Sequence, residues 1–217
     1  MDELTRNEPV IKFEKTIAEF FGAPYGVATD CCTNALELCF RLWKENKSDH
    51  RVELVNVPIY TYHSIPIMLD KIGIDWSFNE DQWEGYYHLT DNIIDAAVYW
   101  KKNGYVPGTM MCLSFQYGKH LSTDRGGMIL LDSESDASKL RKMAYDGRER
   151  TDLAWWKQDI STVGYHYYMT PDKANMGLEN FPKVKSKKPI RKDWDHYQTI
   201  DRYSIFKSKK ILTTSKL

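Results

Sequence analysis

The stretch YGVATDCCTNALELCFRLWKENK (25–47) decides how the chain folds. YGVAT is short, small and apolar, as a buried strand requires, and DCCTN is a polar joint. From residue 32 to 47 the side chains of Leu36, Phe40 and Trp43 recur at helical intervals, which predicts an amphipathic helix. A strand passing through a polar joint into a helix is half of a βαβ unit, and the pattern repeats on both sides. PVIKFEKTIAEFFG (9–22) sets Ile11, Phe13, Ile17, Phe20 and Phe21 near one face and stops at Gly22, a suitable C-cap. VELVNVPIYT (52–61) reads as a strand, and SIPIMLDKIG (64–73) as a helix that stops at Gly73. IDWSF, NIIDAAVYW and TMMCLSF read as further strands. Such alternation implies an α/β fold of three layers, a mainly parallel sheet with helices on both faces.

Residues 1–182 contain no repeat and no low-complexity linker, and are read as one domain. From Lys183 to Leu217 there are eleven Lys or Arg against three Asp, so residues 183–217 read as a basic extension. Trp194, Tyr197 and Ile200 at helical spacing predict that this extension is partly helical. The whole chain balances 30 basic against 30 acidic residues, which gives no electrostatic reason to bind nucleic acid or a membrane surface. No apolar stretch approaches ~18 residues, and MDELTRNEPV lacks a signal-peptide layout, so a cytoplasmic protein is expected. Cys31, Cys32, Cys39 and Cys112 include an adjacent pair, a poor disulfide framework and a poor match to metal-ligand spacing even with His63 nearby. No metal is expected. GKHLST is not a phosphate-binding P-loop, because Leu113 stands where the first glycine belongs.

In folds of this class, ligands sit beyond the carboxyl ends of the strands. DCCTN (30–34), YTYH (60–63), Asp95 and SFQYGK (114–119) all fall at such ends. Together they supply what pyridoxal phosphate needs. Lys119 offers an amine for a Schiff base, and Asp95 a carboxylate for the pyridine nitrogen. Tyr62 offers a ring to stack on, and Thr33, the N–H groups of residues 32–34 and Ser114 offer phosphate donors. Plainer readings exist for each: a solvated lysine, a turn-capping aspartate, a rim tyrosine, a helix-capping threonine.

Six blocks in order give the chain a resemblance to a known family. They are FEKTIAEFFG (13–22), VATDCCTNALEL (27–38), VPIYTY (57–62), IIDAA (93–97), SFQYGKHLSTDRGGMILLD (114–132) and VGYHYYMTPDKANMGLENF (163–181). Over most of residues 10–182 the chain resembles the DegT/DnrJ/EryC1/StrS sugar aminotransferases, fold-type I pyridoxal-phosphate enzymes. The resemblance implies that Lys119 is the Schiff-base lysine and Asp95 the pyridine partner. It also implies that Cys32, Thr33 and Ser114 lie at the phosphate and that Tyr62 stacks on the ring. GYHYY resembles a stretch that the family extends to the neighbouring subunit's phosphate, so His166 is expected to complete the site of a second protomer in a homodimer.

The implied reaction is transfer of an amino group from an amino acid, glutamate being the expected donor, to a nucleotide-linked keto-sugar in amino-sugar biosynthesis. Relatives that dehydrate or deoxygenate sugars carry His at the lysine position, so Lys119 points to amine transfer. The chain departs from the family in four places. Val98 replaces a Gln or His, Tyr168 replaces an Arg, and the interval from Tyr62 to Asp95 lacks a strand–helix portion. Most of the C-terminal small domain is also missing, which makes residues 183–217 its remnant. Two other readings stay compatible with the residues: a pyridoxal-phosphate-binding relative with another small-molecule reaction, and a non-catalytic binding protein that kept the fold.

Overall fold

Side chains alternate between two cores along the central strands, and this alternation sets the architecture. In the computed structural model, which describes residues 3–46, 54–189 and 191–209, Val27, Cys112, Ile129 and Leu131 point into one core. Their neighbours Ala28, Met111, Leu113, Met128 and Leu130 point into the other. A sheet buried on both faces needs helices on both. α2 (Cys32–Asn46), α3 (Ser64–Lys71) and α4 (Glu134–Ala144) cover the first core, and α1 (Glu3–Phe21) and α5 (Pro171–Val184) cover the second. The expected three-layer α/β fold is therefore present.

Strand directions are more mixed than the alternation predicts. The strands are β1 (Tyr25–Thr29), β2 (Val55–Pro58), β3 (Trp76–Asn79), β4 (Tyr87–Thr90), β5 (Ile93–Asp95), β6 (Met110–Ser114) and β7 (Gly127–Leu131). Five form one sheet in the order β1-β7-β6-β5-β4, in which only β5 and β6 run parallel. β2 and β3 form a separate parallel pair joined through α3, with β2 lying against β4. The physical reason is the connections. Only Asp91 and Asn92 separate β4 from β5, and a helix-free loop joins β6 to β7, so each pair returns antiparallel. β1 is antiparallel to β7 as well.

Three boundaries also move. α1 begins at Glu3 and runs through Pro9, because Asn7 and Val10 on either side of the proline are both buried and hold the turn against the core. The strand expected over NIIDAAVYW stops at Asp95, whose side chain turns back to accept the Ala97 N–H. The strand expected over 52–61 ends at Pro58, while its start and Lys47, the last residue of the helix expected from residue 32, lie outside the described residues.

Beyond α5 the chain forms two 3-10 turns, Trp194–His196 and Ser204–Phe206, where helical spacing had suggested a longer helix. Its N–H groups are used elsewhere. Trp194 donates to the Trp83 carbonyl and Ile200 to the Ile59 carbonyl, so the segment lies along the end of β2 instead of coiling on itself. Phe206 is buried edge-on against Trp76 and Phe78, with ring centres 5.8 and 5.7 Å away. The segment is thus part of the core around β2 and β3. Phe206→Ala is expected to destabilise the protein by about 3–5 kcal/mol, the usual range for an emptied aromatic site, and urea unfolding measures this directly.

Candidate functional site

A cavity of about 350 Å³ opens where the carboxyl ends of β1, β2, β5 and β6 meet. Cys32, Thr33, Tyr62, Asp95, Ser114 and Lys119 all line it, so six of the seven residues singled out in the sequence converge. His166 does not. It is exposed, its Nδ1 lies 3.1 Å from an Asp146 carboxylate oxygen, and it borders a separate cavity with Tyr168 and Lys173. Arg125 lines both cavities and pairs with Asp30 at 2.7 Å.

Asp95 ends β5 with its side chain only 5% exposed. Burial pushes its carboxyl pKa upward, while hydrogen bonds from Tyr87 and the Ala97 N–H pull the other way. Tyr87 is the ladder partner of Asp95 across the β4–β5 hairpin, and its hydroxyl donates to Oδ2 at 2.6 Å. Burial keeps that phenol protonated, which leaves its oxygen to accept from Thr61 Oγ1 at 2.5 Å. A chain of hydroxyls, Thr61 to Tyr87 to Asp95, therefore orients the carboxylate. Sequence reading missed it, because YYHLT carries too many polar and aromatic residues to show a strand's alternation.

Lys119 is aimed by the turn before it. Its N–H bonds the Gln116 carbonyl, and Gly118 has φ +80°, a conformation that costs a glycine little. Burial lowers the Lys119 pKa, opposed by the nearby Cys32 and Asp95. A partly desolvated lysine is the more nucleophilic for holding less charge.

One wall of the cavity is built on the first turn of α2. Thr33 Oγ1 meets Ser64 Oγ at 2.8 Å, bringing hydroxyls from α2 and α3 together at the cavity wall. Gly127 lies directly under this turn. A Cβ there would fall 2.5 Å from the Cys31 carbonyl carbon and 2.6 Å from Thr29 Oγ1, so the second glycine of the DRGG string is a clearance for the α2 entry. Cys32 is buried, with Sγ 3.7 Å from the Cys112 carbonyl, and burial raises its thiol pKa well above normal.

Tyr62 is 54% exposed at the mouth, beside the His63 ring. Val98 adds an apolar patch near Lys119. Two aromatic residues that sequence reading did not assign close the remaining side. Trp83 donates from Nε1 to the Tyr60 carbonyl, and Tyr197 of the C-terminal segment packs 5.3 Å from it. Burial, with Asp95 nearby, pushes the Tyr197 pKa up to about 12. Among the described residues no cluster of three or more His, Cys, Asp or Glu is placed to hold a metal, and no helix is long and apolar enough to cross a membrane.

The site can be set beside known proteins. A family model described as the DegT/DnrJ/EryC1/StrS aminotransferase family matches residues 2–75 and 93–202. The spore coat polysaccharide biosynthesis protein SpsC of Bacillus subtilis is 23% identical over 90% of this chain and 62% of its own length. The crystal structure of AtS13 from Actinomadura melliaura superposes with a TM-score of 0.68 at 19% identity, over 81% of this chain and 60% of that one. A Streptococcus pneumoniae protein described as a sugar aminotransferase, in its PLP form, gives a TM-score of 0.68 at 16% identity over 85% of this chain and 64% of that one. The structural likenesses establish the fold. The chain spans 60–64% of the length of each of these relatives.

The lowered Lys119 pKa sets a pH dependence. Folded Lys119 binds fewer protons than unfolded Lys119 at pH values between its lowered pKa and the ordinary value near ~10.4. In that window its contribution makes stability rise with pH. Lys119→Met is expected to remove that contribution, so the difference in unfolding free energy between wild type and variant shrinks as pH climbs from 8 toward 10. A difference constant across that range would contradict the burial argument.

Proposed function

The chain belongs to the DegT/DnrJ/EryC1/StrS aminotransferase family, and we propose that it transfers an amino group from an amino acid to a keto-sugar, using pyridoxal phosphate held at Lys119 as a Schiff base. The observation that carries this reading is the convergence of Lys119, Asp95 and the Thr33 turn on one cavity from separate strand ends. The residues fit the cofactor. The cavity volume is in the range of small-molecule sites, and a buried, oriented carboxylate shares it with a partly desolvated amine. Hydroxyls of Thr33, Ser64 and Ser114 and the first turn of α2 offer phosphate donors without an acidic side chain in that turn.

When bound, pyridoxal phosphate supplies an aldehyde carbon for amine exchange and a ring that takes up an electron pair. Asp95 would hold a proton at the pyridine nitrogen, its carboxylate fixed by the Tyr87 hydroxyl. Lys119 Nζ would hold the cofactor and, as a free amine, would serve as the group that carries a proton during amine transfer. Tyr62 covers the ring face, while Trp83 and Tyr197 exclude water from the side. Glutamate is the proposed donor and a nucleotide-linked sugar the proposed acceptor.

A cytoplasmic homodimer is proposed, in which His166 serves the neighbouring subunit's phosphate. This is supported by its distance in sequence and cavity from its own Lys119 site. Residues 1–182 act as the cofactor-binding large domain, and residues 183–217 stand in for the small domain by walling the cavity through Tyr197.

An absorbance scan with and without glutamate tests the reading. Wild-type protein loaded with cofactor is expected to show the visible band of an imine, which glutamate converts to the near-ultraviolet band of the amine form. Lys119→Ala is expected to lose the visible band. Asp95→Asn is expected to keep it while amine transfer falls by at least about a hundredfold, the usual scale for a misplaced proton-holding group. A visible band that glutamate leaves unchanged would favour a cofactor-binding relative with another reaction, the reading to which Val98 lends support. A colourless protein would favour a binding role.

A further inference from the structure

A second cavity, of about 670 Å³, lies at the opposite end of β1 and shares no lining residue with the Lys119 site. Tyr25 and Gly26 border it, whereas Cys31 and Cys32 border the other, so the strand length, roughly 16 Å, separates the two. Glu14 of α1 is buried in its wall. Oε2 accepts from Arg141 Nε at 3.0 Å, and Oε1 accepts from Arg150 Nη1 at 2.8 Å and from the Ala28 N–H at 3.0 Å. Arg141 also donates from Nη2 to the Gly26 carbonyl.

Arg150 is incompletely used. Its side chain is 7% exposed, and its Nε and Nη2 are buried with no hydrogen-bond partner among the described residues. These two groups share one edge of the guanidinium, the edge that presents parallel N–H bonds to two oxygens of one anion. Glu14 already accepts three donors and does not serve that edge. The chain is turned to bring the arginine here: Asp146 and Gly147, at φ 58° and 80°, redirect the backbone after α4, so that residues 148–151 fold back over the cavity. Lys15, Lys142 and Arg148 pair with Glu19, Glu149 and Asp146, whereas Arg141 and Arg150 share the single carboxylate of Glu14.

We propose that this cavity is an oxyanion site, in which the Nε–Nη2 edge of Arg150 takes two oxygens of a phosphate-type dianion, free or as a phosphate ester. The anion completes the hydrogen bonding of a buried cation that shares its carboxylate with a second arginine. It ties the loop after α4 to α1 and the start of β1, and binding to the folded state alone raises stability.

The test titrates protein saturated with pyridoxal phosphate, so that its phosphate pocket is filled. Inorganic phosphate, glycerol phosphate and acetate are compared at constant ionic strength, by calorimetry and by thermal midpoint. Saturable binding of phosphate or glycerol phosphate is expected, with a raised midpoint and little response to acetate. The stronger of the two phosphates identifies the source. Arg150→Lys keeps a cation beside Glu14 but lacks the two-donor edge, and is expected to weaken binding by at least about tenfold. Thr33→Val alters the other cavity and is expected to leave the response intact. Absence of any phosphate response in wild-type protein overturns the proposal whether or not the variants fold. An equal response to acetate overturns the dianion assignment, and a response unchanged in Arg150→Lys identifies an adventitious ion only.

Discussion

A carboxylate buried at the end of β5 sets the terms for the structure around it. Asp95 sits where water barely reaches, and a buried charge without partners is unfavourable. The chain answers with a hairpin. Antiparallel β4 lies beside β5 in the register that opposes Tyr87 to Asp95, and the phenol then links the carboxylate to Thr61 at the end of β2. The five-stranded sheet and the β2–β3 pair are thereby joined at the site by side chains, though no ladder crosses between them. The first strand of that hairpin, β4, falls in the internal stretch, residues 76–92, that the family model leaves unmatched, whereas β5 is matched. The strand outside the family match is thus the one that supports the buried carboxylate of the site.

Much of this was legible in the sequence because it follows from periodicity. The helices around Phe13, Leu36 and Met68 and the apolar strands around Val27 and Met111 bury most of the faces that their spacing marks, though Ile11 of α1, expected with Phe13 and Ile17, is exposed. Residues at strand ends were legible for a different reason: polar or reactive groups such as Thr33 and Lys119 interrupt apolar runs there, and the fold class gathers strand ends at one edge. Strand direction was not legible, since an apolar strand looks alike whichever way it runs. The two-residue joint at Asp91–Asn92 was the available clue to the β4–β5 hairpin. Thr170–Pro171 likewise marks the start of α5 as a cap followed by a proline at the first helical position.

Contacts between distant segments lay beyond sequence reading. Glu14 meets Arg150 across 136 residues, and Gly85 donates to Asp193 across 108. No local pattern encodes either pairing. The same holds for Gly127, whose hydrogen in place of a methyl group matters only because α2 begins directly above it. A glycine pair before an apolar strand reads as a turn; here it is also headroom for the loop that enters α2.

The C-terminal segment has a consequence for how the site comes into being. Four strand ends that carry Thr33, Tyr62, Asp95 and Lys119 emerge early in synthesis, but the wall that includes Tyr197 is nearly eighty residues later than Lys119. A nascent chain therefore holds its reactive lysine in a half-built cleft open to water, and encloses it only when residues 193–206 dock on Trp83 and Phe78. Translation order separates the making of the amine from the making of its shelter.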